Sequence, residues 1–498
     1  MVLVTLDPQD AVPIYLQIVA QLRAQIDCGT LEAGGILPPT RRFAERLGVS
    51  RSTVYRAYEE LWALGYLDGR PGSYSRVRER PRTALPGPAM PDSLLDWREL
   101  SAPGVDATLG AIHSQRSEPE VRDAASTINF SPLDMDPELI PVDDFRRSVG
   151  AVLRAPGTAV LRYCAHAGYL PLREYLAQRL RRHGVAANAD QVVVTNGSQQ
   201  GLDLIIRLLA GPGTSVAVEE PTYALLLPLL RLHQVRIVPV PMNAAGVDLG
   251  ILEDCFKKSR IAFFYTMPNF QNPTGITTAQ PHREALLALC EAYRVPLVED
   301  GFEEEMKYFG KVSLPIKSMD ERNIALYAGT FSKVLMPGLR IGWIVAHRDC
   351  IDRLVAIKRF SDLSSSTLTQ AAVLDFCQRG LYDHHLQRMF RVYRRRMGVA
   401  LRALREHVAS EDAVYTEPAG GYLLWVRLPG PVAAGELYER LRAHGVVVSP
   451  GEPYFTEPPR EACFRLSIST LNEQQIAEGI RRLGAAIAAV RGRCAHVA

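Results

Sequence analysis

From about residue 126 onward, short apolar runs alternate with amphipathic stretches of helical length, and this alternation constrains the fold more than any other feature of the chain. Residues 191–195 (QVVVT) read as a buried strand. Residues 198–210 follow with Leu202, Ile205, Ile206 and Leu209 spaced along one helix face. Further strands are expected at 215–218, 261–266, 296–299, 324–328 and 341–345. Most are apolar throughout, which suits strands covered on both faces. The pattern predicts an α/β domain with a mainly parallel sheet between layers of helices.

A chain of 498 residues exceeds one compact core and implies two or three domains. Hydrophobic residues at 47% and charged residues at 22% are ordinary for a globular protein. The net charge of +3 is nearly balanced, so any nucleic-acid site has to be a local patch. Eight scattered cysteines form no C-x-x-C pair and no zinc-type spacing with the histidines, so reduced thiols and no metal site are expected. MVLVTLDPQD has no basic region followed by an apolar run, and stretches such as 224–232 are too short to cross a bilayer. A cytoplasmic protein without membrane contact is the expectation. Residues 80–125 are rich in Pro, Ala and charge and read as a linker, with one short helix near 93–100. The expected domains are therefore 1–79, 80–125 (the linker) and 126–498.

The first of these begins with an amphipathic helix over 13–26, with Ile14, Ile18, Leu22 and Ile26 on one face. LPPTRRFAERLGVSRSTVYRAYEELWALGYLD then predicts two helices joined at Gly48. Phe43, Ala44 and Leu47 face inward on the first. Ser50 caps the second, which turns Arg51, Ser52 and Arg56 outward and Val54, Ala57 and Leu61 inward. A helix, a glycine turn and a second helix opening with basic and hydroxyl side chains is a DNA-reading geometry. Residues 69–74 (GRPGSY) look like the turn of a β-wing, and arginines outnumber acids between 37 and 78, as phosphate contacts require. A winged helix used only for protein contacts is the competing expectation. The segment resembles the GntR-type winged-helix family over nearly all of 11–79, through PIYLQI, LPPTRRFAERLGVSRSTV and the GYL before the wing. The resemblance implies an α+β winged helix-turn-helix on a double-stranded operator, with Arg41, Arg51, Thr53 and Gly72 at DNA-contacting positions. The wing departs from the family's Q-G-x-G-T form and reads RPGSYSRV.

The strongest chemical signal is AGTFSKVLMPGLRIGW, residues 328–343. A strand ends, hydroxyls flank Lys333, and Arg340 follows. A lysine amine can form a Schiff base with a pyridoxal aldehyde. A cofactor phosphate calls for hydroxyls, a guanidinium and a helix N-terminus, roles that Thr330, Ser332 and Arg340 fit. Ser198 and Gln199, in the strand-to-helix turn after Asn196-Gly197, can add phosphate donors. Asp300 at a strand end can hold a pyridine nitrogen protonated. Asn272, in PNFQNPTG, can bond the ring hydroxyl, and Tyr223, in EEPTY, can lie on the ring face. Each alone has a plainer reading: Tyr223 as core, Asn272-Pro273 as a turn.

Their order resembles that of fold-type I pyridoxal-phosphate aminotransferases over essentially all of 126–485. The resemblance implies pyridoxal 5'-phosphate as cofactor and a small C-terminal α+β subdomain. It also assigns Arg465, in CFRLSIST, to a substrate or effector carboxylate. Tyr163 would reach the phosphate of a neighbouring subunit, which implies a homodimer. Taken whole, the chain resembles the MocR/GabR group of transcriptional regulators. That group usually has a tyrosine two residues after the pyridine-binding Asp, where this chain has Phe302, followed by acidic residues 303–305 read as a solvated face. The function expected is a DNA-binding regulator sensing an amino acid, an amine or pyridoxal phosphate itself through a Schiff base at Lys333. The alternative is an active or half-active aminotransferase with an accessory winged helix.

Overall fold

The computed structural model describes residues 2, 4–8, 10, 12–68, 74–78, 96–102, 104–105, 108–109, 127–155, 157–301, 306, 308 and 313–492. It separates into two compact units, Met1–Leu100 and Ser101–Ala498. Most of the expected linker, including 80–95 and 110–125, lies outside the described residues; within it a helix covers Trp97–Leu100.

In the first unit, helix α1 (Ile14–Asp27) buries Ile18, Val19 and Leu22, while Ile14 and Ile26 are only partly covered. Helix α2 (Thr40–Leu47) buries Phe43 and Ala44 and ends at Gly48, whose φ of 68° gives the left-handed cap that turns the chain sharply into the next helix. Helix α3 (Arg51–Ala63) starts at Ser50, whose hydroxyl accepts from the Thr53 N–H at 3.1 Å. Strands β1 (Leu67–Asp68) and β2 (Arg76–Val77) pair antiparallel, forming the arms of the expected wing. The residues at its tip, 69–73, with Gly72, lie outside the described residues.

The second unit is built on an eight-stranded sheet. Its strands are β4 (Val192–Thr195), β5 (Ser215–Glu220), β6 (Arg236–Asn243), β7 (Gly246–Val247), β8 (Ile261–Thr266), β9 (Leu297–Asp300), β10 (Ala325–Thr330) and β11 (Gly342–Val345). The order across the sheet is β4-β11-β10-β9-β8-β5-β6-β7. From β10 through β6 neighbours run parallel. The central strands are buried on both faces, and β5 and β8 each feed two cores. Val216, Val218, Phe263 and Tyr265 point into one, and Ala217 and Phe264 into the other.

Strand β11 runs antiparallel to both neighbours. A parallel return needs a crossover of about a dozen or more residues, usually helical. Residues 331–341 instead form an irregular stretch with one 3-10 turn at Pro337–Leu339. Strands β6 and β7 were not expected. Pro239 and Pro241 lie within β6, near the sheet edge where missing N–H donors are tolerated. Beyond the sheet, helix Leu381–His407 leads to a four-stranded antiparallel sheet of the strands Val414–Tyr415, Leu423–Leu428, Ala462–Ser467 and Ser449–Pro450. Together with the helices Ala434–Ala443 and Glu473–Val490, this is the C-terminal α+β part. The two-residue strand β3 (Ile128–Asn129) joins it by pairing with Val446–Val447.

His385, on helix Leu381–His407, is 4% exposed, and burial pushes its pKa down to about 4 against a hydrogen bond to the Val334 backbone. Between that value and the ordinary one the unfolded chain holds more protons, so stability falls as pH drops from about 6.5 towards 4, by about 3 kcal/mol in all. His385→Leu is expected to flatten this part of the thermal-melting profile. A variant losing stability with acid as steeply as the parent would show that another group is responsible.

Candidate functional site

The parallel strands deliver their last residues to one edge, where open α/β sheets hold ligands. Asp300 ends β9 and Thr330 ends β10, side by side through the Ala328–Asp300 register. Asp300 is 2% exposed and accepts at 2.7 Å from the hydroxyl of Tyr265 on the adjoining strand β8. Burial raises the Tyr265 pKa well above its ordinary value, and the Asp300 charge raises it further. Tyr223 is shifted the same way, by burial and then by Asp300, with Arg465 and Arg340 opposing. The Tyr223 hydroxyl donates to Gln199 Oε1 at 3.4 Å.

Helix Gly197–Leu209 starts beside this edge with no side-chain cap at Asn196. Ser198 and Gln199 therefore stand in a first turn whose N–H groups suit an anion. Arg340 donates to the Asn196 carbonyl at 3.2 Å and to Ser332 Oγ at 3.3 Å. Thr330 Oγ1 accepts from the Ser332 N–H at 3.0 Å. These contacts draw Ser198, Thr330, Ser332 and Arg340 around one point. Lys333 Nζ donates to the Leu133 carbonyl at 2.9 Å.

On the other side, Asn272 Oδ1 accepts from Arg465 Nη1 at 3.2 Å, and the Ser131 carbonyl accepts from Nη2 at 2.8 Å. Arg465 is 6% exposed, and its Nε–H has no hydrogen-bond partner among the described residues. A buried guanidinium with an unmet donor fits a carboxylate, which can take two parallel N–H bonds.

Tyr163 is not drawn into this cluster; it is 84% exposed. Phe302 and residues 303–305 lie outside the described residues. In the first unit, Arg51, Ser52 and Arg56 are exposed on α3, and Arg41 is exposed on α2, 3.5 Å from Glu45. The Arg56 guanidinium packs over the Tyr15 ring at 4.0 Å. Thr53 is half-buried, with its hydroxyl on Ser50.

Sequence reading missed several members of the site. Tyr265 sits in an apolar strand, and only the β8–β9 pairing brings it to Asp300. Glu219, two residues before the cis peptide at Pro221, is fully buried and bonds the Thr266 hydroxyl, the Met267 N–H and the Gln271 amide. Burial pushes its pKa up to about 7 against those bonds. Asp362 accepts from Asn196 Nδ2 at 2.9 Å, Gln200 Nε2 at 3.0 Å and the buried Lys358 at 2.9 Å, fixing the start of helix Gly197–Leu209. These partners are far apart in sequence and carry no local signature.

Comparison with known proteins agrees with this architecture. Residues 143–483 match the aminotransferase class I and II family, and residues 14–77 match the gntR family of bacterial regulatory proteins. The probable rhizopine catabolism regulatory protein MocR of Rhizobium meliloti is 30% identical over 490 residues, covering 98% of this chain and 96% of that protein. The chain belongs to the MocR-type regulators. Another relative, the 2-aminoadipate transaminase of Thermus thermophilus, is 37% identical over 70% of the chain and 87% of its own length. The crystal structure of LysN, the alpha-aminoadipate aminotransferase of Thermus thermophilus complexed with N-(5'-phosphopyridoxyl)-L-leucine, superposes with a TM-score of 0.73 at 32% identity. It covers 80% of the chain and 100% of LysN. The MocR match spans nearly the whole chain and the transaminase match does not, which favours a regulator over a free-standing transaminase. No helix among the described residues of this MocR-type chain is long and apolar enough to cross a membrane.

Proposed function

We propose that this MocR-type chain is a cytoplasmic transcriptional regulator whose winged helix reads an operator and whose second unit binds pyridoxal phosphate at Lys333 and senses an amino acid or amine. The observation that carries the sensing role is Arg465, buried, beside Asn272, with its Nε–H unmet. Bound there, pyridoxal phosphate supplies an aldehyde for amines and a ring that withdraws electrons. Lys333 holds the aldehyde, and Asp300 keeps the ring nitrogen protonated. The Tyr265 hydroxyl orients that carboxylate. Ser198, Gln199, Thr330, Ser332 and Arg340 take the phosphate, Asn272 the ring hydroxyl, and Tyr223 the ring face. Tyr163, exposed on its own chain, serves the site of a second copy in a homodimer. In this reading the domains are 1–79, 80–125 and 126–498, and Arg41, Arg51, Ser52, Thr53, Arg56 and Gly72 contact DNA.

An effector shifts operator binding only if it prefers one of two states. The test is operator affinity with and without pyridoxal phosphate and a panel of amino acids and amines. At least one effector is expected to change it, and Lys333→Ala is expected to abolish both that response and the cofactor's visible absorbance. An operator affinity indifferent to every addition sinks the sensing role.

A further inference from the structure

Two of the site's three cations, Lys333 and Arg465, are engaged by one short stretch of backbone. Three consecutive carbonyls take a donor each: Ser131 from Arg465 Nη2 at 2.8 Å, Pro132 from Ser469 Oγ at 3.3 Å, and Leu133 from Lys333 Nζ at 2.9 Å. The stretch is pinned at both ends. Phe130 is fully buried, donates to the Val447 carbonyl and accepts from the Ser467 N–H, each at 2.8 Å. Asp136 is buried and paired with Arg396, itself 5% exposed. Between the pins, the Ser131 N–H is held by Asn129 Oδ1 at 2.9 Å.

We propose that residues 131–133 form a strap whose carbonyls stand in for a ligand at Arg465 and Lys333, and that a carboxylate-bearing amine releases it. The proposal rests on the roles given above to Lys333 and Arg465. The Ser131 carbonyl is a neutral acceptor that meets one edge of a guanidinium whose Nε–H stays unmet. A carboxylate offers two oxygens and a charge, so it satisfies both donors more strongly than the carbonyl satisfies one. Taking Nη2 leaves the Ser131 carbonyl without its donor, and a carbonyl stripped of its partner is costly until it reaches another or water. Pyridoxal phosphate held at Lys333 would take the donor of the Leu133 carbonyl in the same way before any amine arrives, so in the loaded protein the amino acid contests the Arg465–Ser131 hold. Ligand and strap therefore compete, and the strap lowers apparent affinity by the fraction of time it is closed. An amine without a carboxylate leaves the Arg465–Ser131 bond in place.

The experiment uses the full chain loaded with pyridoxal phosphate, with L-leucine and L-glutamate as carboxylate probes and isoamylamine as the probe lacking one. Hydrogen exchange is followed in peptides covering 127–140, with the cofactor's absorbance as the report of binding. An amino acid that changes the absorbance is expected to speed exchange across 131–136, and isoamylamine is not. Asn129→Ala and Ser469→Ala each remove one side-chain hold on the strap. Each is expected to bind that amino acid about 2- to 10-fold more tightly. An amino acid that changes the absorbance while strap exchange stays unchanged, or two variants that bind it no more tightly, overturns the strap and leaves the sensing role standing. No absorbance change with any probe overturns the strap together with the reading it rests on.

Discussion

Replacing Gly342 with valine is expected to weaken pyridoxal-phosphate binding by about 100-fold or more while leaving the sheet folded. A Cβ at Gly342 would sit 2.6 Å from the Gly197 carbonyl carbon and 2.8 Å from the Ser198 nitrogen. Both are backbone atoms of the turn that opens helix Gly197–Leu209, so no side chain can swing aside. Gly197 is as constrained: its φ is 79°, and a Cβ there would fall 2.3 Å from Arg340 Nη2. Two glycines thus let strand β11, the helix start and the guanidinium meet at one point. Valine forces the helix start away from Thr330, Ser332 and Arg340, and each lost charge-assisted bond to a phosphate is worth about 1.5–3 kcal/mol. The strain itself costs about 1–3 kcal/mol of stability. Absorbance titration measures the affinity and circular dichroism the fold. Gly338→Ala, where no atom lies within 4 Å of the added Cβ, is the control. A valine variant that binds cofactor like the parent would show that the phosphate is held elsewhere.

The same pair of glycines marks how far the sequence could be read. Strands β4, β8, β9 and β10 are visible as apolar runs, and their ends fall within two residues of expectation, because a strand buried on both faces admits little else. Asp300 stands out because a charged group at the end of a buried strand is otherwise costly, whereas Lys333 and Arg340 stand out by their hydroxyl-rich setting and Arg465 only through the family resemblance. Helix α3 was legible from its serine cap and the exposed pattern of Arg51, Ser52 and Arg56. What stayed hidden depends on contacts between segments remote in sequence. Strand β6 carries two prolines that argue against a central strand, and only its neighbourhood at the sheet edge reconciles them. The direction of β11 follows from the length and irregularity of the loop before it, which periodicity does not report. Gly342 looks like any strand glycine until β11 is laid beside the helix start, and Tyr265 looks like core until β8 is laid beside β9.

That last pairing supports a prediction in which stability and cofactor binding separate. Tyr265 is fully buried, and its hydroxyl donates to Asp300. Asp300→Ala strands this hydroxyl, at a cost of about 1–3 kcal/mol in stability. It also removes the carboxylate proposed to pair with the ring nitrogen. Breaking a buried ion pair costs about 3–5 kcal/mol, so affinity for pyridoxal phosphate is expected to fall by roughly 100-fold or more. Asp300→Asn keeps an oxygen for the Tyr265 hydroxyl and loses only the charge. It should melt within about 1 kcal/mol of the parent and still bind cofactor poorly. Tyr265→Phe does the converse. The carboxylate remains but loses a hydrogen bond that orients it, and affinity should fall only about 2- to 10-fold. Thermal melts and absorbance titrations of the three variants separate the two contributions. If Asp300→Asn bound pyridoxal phosphate as well as the parent, the charge at this position would be serving the fold, and the ring nitrogen would have to find its partner among other residues.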